Sequence, residues 1–222
     1  MCRQKDFHRG GRRFPNRDKC FGIDNYFHTL QSVEVTTNSL HPTLWRTCRV
    51  LANSTRLRLL AQLARNQPQS VSELAEHCAL TLPVASQSLR ALEARGLLKA
   101  RRIRRRVEYR LPTRTEADAL GELIAALQIA LLREAFPDIL VQKLATAFTH
   151  PSRILIHRVL AAGPKTFTEI QLAIRLSAPA LSRHLGKLLN RGFVTHDDSS
   201  GKFSIRKHHE PAARALAVLT LA

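Results

Sequence analysis

Apolar residues recur every three or four positions along most of the chain, the spacing that lines one face of an α-helix, and alternating stretches interrupt them at two places. A first helix is expected behind the small polar residues Asn53, Ser54 and Thr55, with Leu57, Leu60 and Leu63 on its apolar stripe and an end near residues 66–68. A short helix starting at Ser72 follows, the hydroxyl acting as cap and Glu73 favouring the positive end of the helix dipole. A third helix is opened by Thr81 and carries Pro83 in its first turn, where a missing N–H costs little. It stops at Gly96, suited to a left-handed C-cap, and an alternating β-hairpin follows.

The same succession returns further on. Residues 167–194 align with residues 71–98 without a gap at an offset of 96. Glu73 falls on Glu169, Leu80 on Leu176, Pro83 on Pro179, Ser86 on Ser182, Leu89 on Leu185 and Leu92 on Leu188, and Arg95-Gly96-Leu97 falls on Arg191-Gly192-Phe193. With one extra residue in the loop of the first copy, Thr55-Arg56-Leu57 meets Ser152-Arg153-Ile154. The second copy thus has a first helix behind residues 150–152 ending at Gly163-Pro164, a short helix from Thr168 and a third opened by Ser177. That order is a helix-turn-helix with a wing, present twice.

Between the copies, Leu120, Leu123, Ile124, Leu127, Leu131 and Leu132 are spaced for an amphipathic helix ended by Pro137. A second helix begins near Asp138 with Ile139, Leu140, Leu144 and Phe148. The apolar stretch 211–221 occupies, after copy two, the place that 116–136 holds after copy one. The expected division is a poorly ordered basic segment over 1–40, a winged helix over 41–114, a helical connector over 115–148 and a second winged helix with a C-terminal helix over 149–222. The fold class is mainly α with short β-hairpins, a tandem duplicated winged helix-turn-helix.

Charge adds a partner. Lys and Arg number 35 against 17 Asp and Glu, a formal +18 with a pI near 11.2, which calls for a polyanion. The excess is uneven: +3 over residues 1–45, +11 over 46–114, −3 over 115–148 and +7 over 149–222, so two basic blocks flank an acidic connector.

The N-S-T-R-L-R-L-L opening, the T-x-P-x-A-S-Q-S-L-x-A-L third helix, the R-G-L-L exit and the V-E-Y-R-L strand resemble the ArsR family of bacterial winged-helix regulators. Residues 149–207 resemble it more loosely through H-P-S-R-I-L, S-A-P-A-L-S-R-H-L and R-G-F-V. The resemblance implies a sequence-specific transcriptional regulator, expected to be a repressor, with the third helix of each copy in the major groove of double-stranded DNA. In copy one a buried stripe of Ala85, Leu89 and Leu92 leaves Leu82, Val84, Ser86, Gln87 and Arg90 facing outward. Gln87 can pair bidentately with adenine. Copy two offers Ala178, Ala180, Ser182, Arg183, His184 and Lys187, with Arg183 suited to guanine. Arg101, Arg102, Arg104, Arg105 and Arg106 of the first hairpin would reach phosphates, and Lys202 belongs to the second wing. The family usually has Gly or Asn at the wing tip, where this chain has Ile103 among arginines. The second wing brings Asp197 and Asp198 towards the DNA side and is expected to contribute less.

Terminal helices build the homodimer in single-copy relatives, so the two here are expected to pair within one chain as a pseudodimer, or between chains in a homodimer of tandems. Two recognition helices would then sit about one DNA turn apart, roughly 34 Å. The alternative function is a non-specific DNA-binding or chromosome-organising interaction module. No metal or other cofactor is expected: where metal-sensing relatives carry C-V-C-D-L, this chain has Ser70-Val71-Ser72-Glu73-Leu74, without either thiolate. Cys78, beside His77, is expected to be buried as a small apolar residue, and Cys2, Cys20 and Cys48 show no CxxC pairing. No glycine-rich phosphate loop, GxSxG or HExxH favours an enzyme. No apolar run reaches bilayer length and no signal-peptide pattern opens the chain, so a cytoplasmic, nucleoid-associated protein is expected. Met1 is the only methionine, which leaves a start further in, at Val33 or Val35, as an alternative for residues 1–32.

Overall fold

Helix α1 (Leu44–Leu51) buries Leu44, Thr47, Cys48 and Leu51, one stripe at helical spacing. It leads into α2 (Ser54–Arg65), where the Asn53 side chain accepts a hydrogen bond from the Arg56 amide at 3.0 Å. A two-residue strand β1 (Gln69–Ser70), α3 (Val71–His77) and α4 (Leu82–Glu93) follow, then the hairpin β2 (Lys99–Ile103) and β3 (Arg106–Arg110), then α5 (Ala119–Arg133). The succession repeats as α6 (Pro137–Ala145) with a 3-10 turn Thr146–Phe148, α7 (Pro151–Ala161), β4 (Lys165–Thr166), α8 (Phe167–Ile174) and α9 (Ala178–Arg191). The hairpin β5 (Val194–Asp197) and β6 (Lys202–Ile205) and the last helix α10 (Pro211–Leu221) complete it. This computed structural model describes residues 44–112, 119–133 and 137–221; the arm expected over residues 1–40 lies outside the described residues.

The expected mainly helical fold with short hairpins is what the described residues adopt. Each hairpin is widened to three antiparallel strands by the short strand before the second helix of its copy, in the orders β1-β3-β2 and β4-β6-β5. Gln69 pairs with Tyr109 and Lys165 with Phe203 in these registers.

The caps of the short helices differ from the expectation. Ser70 and Thr166, not Ser72 and Thr168, are the N-caps of α3 and α8. Each closes a reciprocal box in which the hydroxyl accepts from the glutamate amide at 3.3 Å and the glutamate carboxylate accepts from the cap amide at 2.7 Å. By contrast Thr81 and Ser177 are N-caps by backbone geometry alone, with no side-chain capping bond. At the far end, α9 ends on left-handed Gly192 (φ 79°), whereas α4 ends earlier, at Glu93, and winds through a turn to Gly96 (φ 70°).

Helix α1 was not legible as an element, and the duplication accounts for it. Arg56 donates to the carbonyls of Arg49 and Val50 at the end of α1. The aligned Arg153 donates to the carbonyls of Thr146 and Ala147 in the 3-10 turn. Helix α1 therefore stands to copy one as α6 and its turn stand to copy two, and it packs against both of them. Likewise α5 lies against α10. Leu123, Ile124, Leu127 and Leu131 of α5 share one buried core with Ala212, Ala213, Leu216 and Leu219 of α10, and that core continues through both copies.

Helix α10 is tied to copy two at Thr220. Its hydroxyl donates to the Ala217 carbonyl at 2.6 Å, which assigns the proton of the 2.7 Å bond to His157 Nδ1, and Arg158 donates to the Thr220 carbonyl. The His157 ring is fully buried edge-on to Phe148 and Phe193. Its pKa is pushed down to about 4, first by burial and then by His208.

Two outcomes follow from these contacts. Ser70→Ala or Thr166→Ala should each cost about 1 kcal/mol in urea denaturation, while Thr81→Ala and Ser177→Ala should cost less than about half of that; equal losses at all four positions would contradict the cap assignment. Because the folded pKa of His157 lies below its unfolded value, its stabilising contribution is complete above about pH 6.5 and is lost as pH falls towards 4, about 2 kcal/mol of it by pH 5. The loss of stability between pH 7 and pH 5 should shrink by that amount in His157→Gln, and an unaltered pH dependence would contradict it.

Candidate nucleic-acid interface

Helix α4 is held by its buried residues Ala85, Leu89 and Leu92, so its other face is turned outward. Leu82, Val84, Gln87 and Arg90 are exposed and Ser86 is half-buried. The Thr81 hydroxyl, spared from capping, is exposed at the N-terminal tip of the same helix. This position was read from sequence only as a cap.

Beyond α4, all five hairpin arginines are exposed. Ile103 pairs with Arg106, so the two turn residues are Arg104 and Arg105 and Ile103 is not the tip. Arg104 takes a left-handed φ of 52°, where hairpin turns favour Gly or Asn and where another residue costs on the order of 1 kcal/mol. The wing and the helix meet at Tyr109. Its hydroxyl donates to Glu93 Oε2 at 3.4 Å, and both Arg90 of α4 and Arg102 of β2 act on it electrostatically. Burial, and then Glu93, push the phenol pKa up, so it stays protonated and able to donate. At the other end of the hairpin, Arg106 lies 3.5 Å from the carboxylate of Glu73, the residue that closes the cap of α3. That carboxylate is held below its usual range mainly by its bonds to Ser70.

Copy two uses the same frame with different chemistry. Leu181, Leu185 and Leu188 anchor α9. Ala178, Ser182 and Arg183 are exposed, and Ala180, His184 and Lys187 are half-buried. The His184 ring lies on His150 with centroids 4.5 Å apart, and burial, followed by the charges of His150, Arg153 and Arg183, pushes its pKa down to about 4. At neutral pH it is an uncharged packing partner of α7. Gly186 stands where α4 has Arg90.

In the second hairpin Lys202 is exposed and in register with Asp197. The Asp197 carboxylate accepts from the Ser199 amide and hydroxyl and from the Ser200 hydroxyl at 3.1, 2.7 and 2.6 Å, which holds its pKa down to about 2. Asp198 contacts His196 Nδ1 at 2.8 Å. This turn therefore presents fixed negative charge where the first presents two arginines. Lys202, aligned with Arg106, acts on Glu169 as Arg106 acts on Glu73.

Among the described residues, no three His, Cys, Asp or Glu side chains are grouped to hold a metal ion. Cys48 and Cys78 are both buried, and desolvation pushes each thiol up, that of Cys48 to about 12. No described helix is long and apolar enough to cross a membrane.

Two protein families match the chain: a helix-turn-helix domain over residues 51–101 and the bacterial regulatory protein ArsR family over residues 150–196. The copy with the looser motif resemblance is thus the one that the ArsR family matches. No curated protein is significantly similar to the chain. The matched segments run from the first helix of each copy into its wing, and their geometry is that of the helix-turn-helix in both. The chain carries two winged helix-turn-helix domains in tandem, the second of them matched by the ArsR family, the architecture of a DNA-binding transcription regulator.

Proposed function

We propose that the protein is a sequence-specific repressor whose two winged helices, within 41–114 and 149–222, act as an intramolecular pseudodimer on one stretch of double-stranded DNA. The observation that carries this reading is that equivalent elements meet: α5 lies against α10, and α1 against α6 and its turn. That is the relation of the two halves of an isologous dimer, in which each surface contacts its own counterpart. A protein of this kind works in the cytoplasm, associated with the nucleoid.

In this reading α4 enters the major groove with Gln87 and Ser86 towards base edges, and the exposed Thr81 hydroxyl serves a phosphate near the helix N-terminus. Arg101, Arg102, Arg104 and Arg105 reach phosphates beside the groove, and Arg106 divides its charge between DNA and Glu73. Helix α9 contributes Ser182, Arg183 and Lys187, with Ala178 and Ala180 close to the bases, the Ser177 hydroxyl on a phosphate and His184 orienting the helix through His150. Lys202 is the main cation of the second wing, offset by Asp197 and Asp198. Copy one supplies more of the affinity, and the preferred site is an imperfect inverted repeat.

Fluorescence anisotropy on duplexes selected from a random pool tests the assignment. Neutralising Arg104, Arg105 and Arg106 to Gln should reduce the slope of log K against log salt by roughly 2–3, since each lost phosphate contact contributes about 0.9. An unchanged slope would contradict the phosphate role. Ser86→Ala with Gln87→Ala should lower the preference for the selected duplex over random DNA by about tenfold or more, on the scale of one good bidentate base contact. Equal loss on both DNAs would favour the generic DNA-binding module instead.

A further inference from the structure

We propose that copy one reads thymine C5-methyl groups through Leu82 and Val84, so that its half-site is rich in A·T pairs while that of copy two is not read in this way. The inference rests on the DNA-binding reading above. Leu82 is 56% exposed and Val84 44% exposed, and both stand on the first turn of α4, whose core contacts are made by Ala85, Leu89 and Leu92. Pro83 between them is exposed as well. The first three side chains of the recognition helix therefore carry no hydrogen-bond donor or acceptor. A base edge beneath these three side chains meets them through apolar contact, and the one apolar group that a base of unmodified DNA offers in the major groove is the thymine methyl.

The neighbours favour DNA over an apolar protein partner. One turn along the same helix stands exposed Gln87, whose amide matches adenine N6 and N7, and a helical rise of about 1.5 Å per residue puts Val84 and Gln87 roughly one base pair apart. Adjacent A·T pairs present both features, the adenine edge of one and the thymine methyl of the next. The same copy exposes five arginines on its hairpin, which suits phosphates and not an apolar protein surface. In copy two the aligned residues are Ala178 and Ala180, too short to reach as far, and exposed Arg183 stands where copy one has Gln87. The two half-sites are thus distinguished chemically, methyl-bearing A·T pairs under α4 and guanine under α9.

The test uses the full chain and a duplex selected from a random pool, with deoxyuridine in place of thymidine at one position at a time; this removes the methyl and leaves every hydrogen-bonding group in place. Affinity should fall about fourfold for each methyl contacted by copy one, the effect of exposing one buried methyl-sized group, and such positions should cluster in one half of the site. Leu82→Ala with Val84→Ala should reduce the sensitivity to less than about twofold at those same positions. Tight binding to the selected duplex with indifference to every thymidine-to-deoxyuridine change overturns the inference and leaves the regulator reading standing. Sensitivity that persists undiminished in the double variant overturns it too, since another group then reads the methyl. Failure to bind any duplex removes the DNA reading and this inference with it.

Discussion

The packing of α5 against α10 is the contact on which the rest of the arrangement depends. Each helix is apolar over most of its circumference, and the two bury part of that surface against each other. Burying a leucine side chain contributes on the order of 1.5–3 kcal/mol, and Leu123, Leu127, Leu131, Leu216 and Leu219 are all buried in the continuous core. From α10 the connection runs through Thr220 to His157 and Arg158, and so into the second copy. From α5 it runs to α2, and α4 is seated on α2 in turn. Helices α4 and α9 are thereby parts of one folded unit and not beads on a linker.

Within that unit the two copies agree where folding demands it and differ where a partner would be read. The reciprocal caps Ser70–Glu73 and Thr166–Glu169 and the closing arginines Arg56 and Arg153 are chemically equivalent and do equivalent work. So do the buried residues Leu89 and Leu185. On the outward faces, Gln87 is replaced by Arg183, Arg90 by Gly186, and an arginine tip by a turn organised around Asp197. Such a pattern suits a duplicated scaffold whose halves address different partners or different stretches of one partner.

Most of this scaffold could be read from the chain because helical periodicity and the offset of 96 reinforce each other. Two readings missed for identifiable reasons. Helix α1 shares no residue pattern with α6, to which it is equivalent only through the arginine–carbonyl contact, and its own signal is the short spacing of Leu44, Cys48 and Leu51. The caps were placed two residues late because hydroxyls stand at both positions; the S/T-x-x-E spacing of 70–73 and 166–169 was the signal that distinguished them. At the interface, the outward position of Gln87 and of the arginines was legible from periodicity. The tertiary contacts were not: His184 on His150 and Tyr109 between wing and helix each join segments that no local pattern connects, while the turn at Arg104 is left-handed without the Gly or Asn that would signal it.

In the proposed function one chain presents two unequal winged helices to one stretch of DNA. Hydroxyl-radical footprinting of the full chain on its selected duplex, with the stoichiometry of the complex measured by sedimentation, tests it most directly. The expected result is one chain per duplex and two protected segments whose centres lie about one helical turn, roughly 10 base pairs, apart, the stronger protection on the half bound by copy one. A single protected segment for one chain, or two chains required for two segments, would contradict it.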